Sequence, residues 1–370
     1  MKTSSLIQSV LLVAGLLAVG LPGSASAASY TAVNLGTLGA PDSQAYGING
    51  SGQVVGDSPL VNGYSRAFLW SSGGGMTDLG TLGGTASLAY GINGSGQVVG
   101  MADTANGLQH AFLWSGGGGM TDLGTLGGTT SYAYSINGSG QVVGTSTPLN
   151  SAAHAFLWSS GSGMTDLGTL GGAGSRANSI NISGQVVGMA DTASGNGHAF
   201  LWSSGGGMTD LGTLMGEYGS DATGINNSGQ VVGWSNTAST ATGNPHAFLW
   251  SSGGGMIDLG TLAGGANSQS EALGINGSGQ VVGWSLTVNG YGHAFLWSSG
   301  GGMIDLNSVV SLGGGDYLTQ AEGINDSGQI IAYSALGNAY LLTPVPEPTI
   351  SALLLAGLSL VGVAVRRRRR

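Results

Sequence analysis

Ten residues, GINGSGQVVG at 91–100, return along most of this chain. The anchor (G/S)IN-x-SGQ starts at Gly47, Gly91, Ser135, Ser179, Gly224, Gly274 and Gly323, with steps of 44, 44, 44, 45, 50 and 49 residues. Two further phrases keep register with it, HAFLW at 110–114 and MTDLGTLGG at 120–128. A repeat of roughly 20–50 residues is a unit that cannot bury its own apolar face, so its copies must stack in a row or close into a ring.

One copy divides into four strands. Residues 88–93 (LAYGIN) are short, small and apolar. Gly94, Ser95 and Gly96 supply a tight hairpin turn. Residues 97–101 (QVVGM) are β-branched and apolar, which marks a second strand. A polar loop at 102–109 leads to a third strand, HAFLWS at 110–115, with His110, Phe112 and Trp114 on one face and Ala111 and Leu113 on the other. Gly116–Gly119 turns into a fourth strand at 120–126. The third strand is apolar on both faces, as in a sheet packed between two neighbours. No helical periodicity runs between the two ends of the chain. Four strands in about 44 residues match one blade of a β-propeller. The expectation is an all-β, seven-bladed β-propeller.

The array also predicts its own closure. The seventh copy ends at 338–343 (NAYLLT) without a fourth strand, while residues 30–39 (YTAVNLGTLG) align with MTDLGTLG. The N-terminal strand can therefore complete the last blade and hide two sheet edges. The alternative, an open β-solenoid, would not need complementary half-repeats.

In an up-down blade the first and third hairpin loops lie on one side of the disc, and these are nearly constant in text. The second loop and the link between blades lie on the other side and vary in length and sequence. Variable loops on a rigid scaffold are where binding usually resides, although drift in unconstrained loops gives the same pattern. The candidate ligand face comprises Trp234 and Trp284, read as opening variable loops, with the acids Asp103, Asp191, Glu217, Asp221, Glu271 and Asp316. An exposed Trp could stack on a sugar ring; packing is the simpler role. The acids would suit Ca²⁺, a hard oxygen-seeking ion, but no EF-hand or similarly dense loop motif is present. No cofactor and no metal site are expected.

Little else looks catalytic. The five His (His110, His154, His198, His246, His293) occupy one repeat position, which spreads them around a ring and points to hydrogen bonding. The Asp of DLG recurs at the same register and is Asn34 in the N-terminal copy, which fits an acceptor that fixes a turn. Lys2 is the only lysine, so P-loop and Schiff-base chemistry are excluded. Residues 28–344 hold Arg66 and Arg176 against sixteen acids, a balance of −14. Such a surface repels nucleic acid. The chain has no Cys, so its stability comes from packing and hydrogen bonds rather than disulfides.

The two ends read as addresses. Residues 1–27 have a basic start, an apolar stretch and an Ala25-Ser26-Ala27 site, the layout of a secretory signal cut by signal peptidase after Ala27. Residues 345–370 hold Pro346-Glu347-Pro348, an apolar run at 350–365, and the cluster Arg366, Arg367, Arg368, Arg369 and Arg370. Sixteen apolar residues are somewhat short for a membrane span, though flanking Arg can snorkel. This tail resembles the PEP-CTERM sorting signal of Gram-negative bacteria. The resemblance implies recognition near Pro346–Pro348 by an exosortase, anchoring by the C-terminal helix before processing, and a host with an exopolysaccharide matrix. A plain C-terminal anchor is the alternative.

The phrases HAFLW, DLGTLGG and GIN-x-SGQVVG over residues 30–343 resemble the bacterial extracellular HAF-repeat family. That resemblance implies a secreted repeat protein with no assigned activity and carries no catalytic residue. The functional expectation is a non-enzymatic protein of the cell surface or extracellular matrix, associated with exopolysaccharide. The alternatives are an adhesion scaffold for envelope proteins and a propeller glycan lyase or hydrolase.

Overall fold

The computed structural model describes residues 29–215, 218–237, 244–265 and 268–346. Those residues form seven four-stranded antiparallel sheets, each an up-down meander. The second blade consists of Gly83–Ile92, Val98–Thr104, Gln109–Ser115 and Gly119–Asp122. The closing blade takes Leu318–Ile324, Ile330–Ser334 and Ala339–Pro344 from the C-terminal end and Tyr30–Asn34 from the N-terminal end. Tyr30 pairs with Pro344 and Asn34 with Tyr340. The seven-bladed propeller and its closure by the N-terminal strand are therefore both present.

The core is a set of apolar clusters between blades. In one of them Val55, Ala67 and Leu79 of the first blade pack on Ala89, Val98, Ala102 and Phe112 of the second. The Phe of HAFLW is fully buried in all six copies, Phe68 through Phe295. Polar pins join the same interfaces. The Ala111 N–H donates to Ser131 Oγ of the next blade at 2.8 Å, and the Ser131 hydroxyl donates to the Gly124 carbonyl at 2.6 Å.

Seven asparagines tie the innermost strands into a ring. Asn93 Oδ1 accepts from the N–H groups of Ser95 and Gln97, at 3.1 and 3.0 Å. Its Nδ2 donates to Gln97 Oε1 at 2.8 Å and to the Asn137 carbonyl of the next blade at 3.2 Å. The interblade bond recurs at every junction and closes from Asn325 to the Asn49 carbonyl at 3.0 Å. The N-x-SGQ phrase thus forms a hairpin and an interblade clasp at once.

The inner strands carry a β-bulge in every blade. In the second, the register slips between Ala89 and Gly91, and Tyr90 is the extra residue. A bulge re-aims its side chain; here Tyr90 and five of its six counterparts line the central cavity. Glycine at 100 follows from this geometry, since a Cβ there would lie 1.9 Å from the Leu88 carbonyl oxygen. At position 91 a Cβ would lie 2.9 Å from the Tyr134 carbonyl oxygen, because neighbouring inner strands almost touch.

Three boundaries differ from the sequence reading. The first strand of blades two to four begins at the preceding Gly pair, because Gly83, Gly127 and Gly171 pair with the extended ends of the second strands. The fourth strand stops at Asp122 rather than 126: Asp122 Oδ1 takes the Gly124 N–H at 2.7 Å and turns the chain. Trp234 and Trp284 do not open loops. They lie inside the second strands Val231–Asn236 and Val281–Leu286, opposite Asp221 and Glu271.

Candidate functional site

Around the central channel the inner strands follow the pattern Ser-x-Ala-x-(Gly/Ser)-Ile-Asn in six copies, with Thr319 replacing the Ser in the seventh. The fixed positions serve the architecture. The two x positions differ from blade to blade, and both approach the channel from the side that carries the variable loops. The outer ring is Gln44, Leu88, Tyr132, Arg176, Asp221, Glu271 and Gln320. The inner ring, at the bulges, is Tyr46, Tyr90, Tyr134, Asn178, Thr223, Leu273 and Glu322. Beneath them lies a cavity of about 200 Å³ whose walls include Tyr46, Tyr90, Tyr134, Asn178 and Thr223, with six of the seven isoleucines at its base.

The mouth of this cavity is asymmetric. On one side Tyr46, Tyr90 and Tyr134 fan around the wall, with consecutive ring centroids 5.4 Å apart and interplanar angles of 54° and 58°. On the other side stand the charges. Arg176 forms an ion pair with Asp221, whose other oxygen accepts from Asn178 Nδ2 at 2.8 Å. Trp284 Nε1 donates to Glu271 Oε2 at 3.1 Å, and Gln320 Nε2 donates to Glu322 Oε1 at 2.6 Å. Asp57, on the second strand behind Tyr46, is buried and accepts from the Ser65 hydroxyl at 2.7 Å.

Burial pushes the Asp57 and Glu271 carboxyls above their ordinary values, against the pull of their hydrogen bonds. Burial and the neighbouring Glu271 raise Glu322 from 4.5 to about 7. Burial and the Asp57 charge keep the Tyr46 and Tyr90 phenols protonated.

Glu322 has a measurable consequence. Below pH 4.5 its carboxyl is protonated in both folded and unfolded chains, and the fold keeps its full stability. Between 4.5 and about 7 the unfolded chain ionises first, so stability falls as pH rises, and the loss is complete above that range. Glu322→Gln removes the penalty. The variant should gain on the wild type between pH 5 and pH 8 by on the order of 1–3 kcal/mol, after allowance for solvent at the mouth. Paired thermal melts at the two pH values check this, and a difference that does not change with pH would refute the assignment.

The structure gathers some of the sequence candidates and scatters the rest. Asp221, Glu271, Trp234 and Trp284 come together at the mouth. Asp103 instead accepts from the Thr85 hydroxyl and the Ala86 N–H, and Asp191 from the Gly174 N–H, so both hold local backbone. Asp316 caps the N–H groups of Tyr317 and Leu336. Glu217 lies outside the described residues. So do Ala25, Ala27, Glu347, Pro348 and Arg366 to Arg370; Pro346 is the last residue described. Among the described residues no group of three or more His, Asp or Glu side chains is placed to hold a metal ion.

The five His pair through Nδ1 with the DLG Asp of their own blades, at 2.7–2.8 Å. Arg66 faces Asp78 at 4.0 Å in the first blade. Asn34 Oδ1 accepts from the Gly36 N–H as its Asp counterparts do from the equivalent glycines. Sequence reasoning missed Asp57, Arg176, Glu322 and the three tyrosines. The signal was present: strand positions that change between blades while both neighbours stay the same.

Residues 344–370 match the PEP-CTERM protein-sorting motif. The chain carries an exosortase sorting signal. It is therefore an exported protein, sorted at a membrane and processed by an exosortase. The apolar segment 350–365 lies outside the described residues, and among those described no helix is long and apolar enough to cross a membrane. No curated relative matches the chain, so the HAF-repeat likeness rests on its three phrases. Among solved structures, a catalytically inactive virginiamycin B lyase from Staphylococcus aureus with quinupristin has a TM-score of 0.57 at 14% identity, covering 85% of this chain and 100% of that one. YCF48 bound to D1 peptide has a TM-score of 0.51 at 13% identity, covering 87% of this chain and 98% of that one. At such identities the likeness is one of fold alone.

Proposed function

We propose that this exported protein is a non-catalytic binding protein of the cell surface or extracellular matrix. Its ligand is a matrix glycan, held at the channel mouth on the variable-loop face. One observation carries the reading: in a repeat otherwise kept nearly uniform, the inner-strand positions that differ between blades are those that face this mouth. Tyrosine faces, carboxylates and an arginine together suit hydroxylated rings, which present C–H faces and many donors. Both ends of the propeller, Tyr30 and Pro344, emerge on the opposite face, which leaves the mouth free of the sorting segment's attachment point. The absence of turnover is supported by the site's economy. Asp221, Glu271 and Glu322 are engaged by Arg176, Trp284 and Gln320, and the His residues are engaged by the DLG acids.

A second reading, an envelope-protein partner, is favoured by the loop tips on the same face. Val61, Leu149, Val288 and Leu336 are 68–88% exposed there, one aliphatic tip on the second hairpin loop of each of four blades, and a protein partner would cover them.

The test incubates the mature chain with the exopolysaccharide of its own host, with Ca²⁺ and then with EDTA, and measures bound protein and polymer length. Binding at unchanged length in both conditions is expected. Shortened polymer would overturn the non-catalytic reading. No binding would transfer the assignment to a protein partner.

A further inference from the structure

The charges around the mouth decide which glycans it can take. Asp57, Asp221, Glu271 and Glu322 stand on or behind its wall, against the single cation Arg176, which is already spent on Asp221. Glu271 feels Arg176 at longer range, and Asp57 and Glu322 have no cationic partner. An acidic sugar or a phosphate would meet uncompensated like charge in a partly desolvated cavity.

One carboxylate oxygen is also unmatched. Asp57 is 7% exposed, and its Oδ1 is buried with no hydrogen-bond partner. The hydroxyl of the adjacent Tyr46 donates to Gln44 Oε1 instead.

The wall opposite the carboxylates is the tyrosine fan, and a cavity of about 200 Å³ is below the usual range for drug-sized ligands, roughly 300–1,000 Å³. It takes one ring or one side chain rather than a length of polymer. Aromatic faces across a small cavity from buried carboxylates are the elements of a cation site: ring quadrupoles attract a positive group, and the remaining carboxylate lone pairs accept its protons.

We infer that the channel mouth takes a protonated amino-sugar unit of a polysaccharide, with the pyranose against Tyr46, Tyr90 and Tyr134 and the ammonium toward Glu271 and Glu322. This rests on the reading of the mouth as a glycan site, and the experiment separates the two.

The mature chain is titrated calorimetrically with a glucosamine oligosaccharide, its fully N-acetylated counterpart, an oligouronate and a lysine-rich peptide, at low and moderate salt. The glucosamine oligomer should bind at least about tenfold tighter than the acetylated one, the factor expected for one charge-assisted contact, and the preference should shrink with salt. The oligouronate should not bind. Glu271→Gln and Glu322→Gln, which keep side-chain shape, should each erase most of the preference by weakening binding of the glucosamine oligomer. Equal binding of both oligomers would overturn the amine assignment while the glycan reading stands. Binding of the peptide alone would overturn both, and no binding by any of the four would overturn the amine assignment. The ligand panel on the wild-type chain keeps the proposal falsifiable if either variant misfolds.

Discussion

Removing residues 28–34 from the mature chain should abolish its cooperative melting transition and drive it into aggregates. Those residues supply the outer strand of the closing blade, five residues paired along Ala339–Pro344. They also supply Tyr30, which packs with Leu318 and Leu342. The next buried residue, Leu35, packs with Phe68 and Leu341 across the seam to the first blade and loses its anchor.

One buried aromatic is worth about 1.5–3 kcal/mol, and each ladder hydrogen bond adds about 0.5–1.5 kcal/mol. The sum is comparable with the whole stability of a typical domain, about 5–15 kcal/mol. The strand Ala339–Pro344 would then present an open edge, which pairs with other chains. A synthetic peptide of residues 29–38 should restore the transition when added before refolding, by β-strand addition. A shortened chain that melts like the parent would show that the ring does not depend on this closure.

Asn325→Ala should be nearly as severe. Asn325 makes four hydrogen bonds: two accepted from the Ser327 and Gln329 N–H groups, one donated to Gln329 Oε1, and one donated to the Asn49 carbonyl across the seam. Alanine leaves these buried partners unmatched, at about 1–3 kcal/mol for each group that water cannot reach. A loss of about 2–4 kcal/mol in denaturant melts is expected.

Asn325→Asp separates the two roles of the residue. It keeps both accepted bonds of the hairpin but replaces the Nδ2 that donates to Asn49 and to Gln329 Oε1 with a carboxylate oxygen, to which the Gln329 amide can turn its own N–H groups. If the interblade clasp matters, Asp should be about as destabilising as Ala. If only the hairpin matters, Asp should be tolerated.

These two effects mark what the sequence disclosed and what it hid. The blade count and the closing strand were legible because period and register are one-dimensional, and YTAVNLGTLG could be aligned with MTDLGTLG directly. The clasp was not legible. A hairpin explains N-x-SGQ fully within one copy, and the bond from Asn93 to Asn137 exists only once the copies curve into a ring.

The candidate site was half legible for a related reason. Asp221, Glu271, Trp234 and Trp284 stood out against the repeat, but they were placed on loops, where divergence is ordinary. The structure sets them within strands and adds Arg176, Glu322 and three tyrosines. Tyr46, Tyr90 and Tyr134 did not stand out in the sequence because the residues on either side of them are small and repeat almost unchanged. The bulge between Ala and Gly turns them inward, and such a slip leaves no mark in a strand of small residues. Asp103 and Asp191 failed in the opposite sense: they resembled ligands and proved to be backbone props.

The central claim is that the divergent inner-strand positions form one binding site on the variable-loop face. The most direct test measures binding of the host's exopolysaccharide to two variants of the mature chain with matched melting curves. One is Tyr90→Ala at the mouth; the other is Ile182→Ser on the opposite face, where Ile182 is exposed. The account predicts that Tyr90→Ala loses at least about tenfold in affinity, as for removal of a central aromatic anchor, while Ile182→Ser binds like the parent. The reverse result, or equal binding by both, would contradict it.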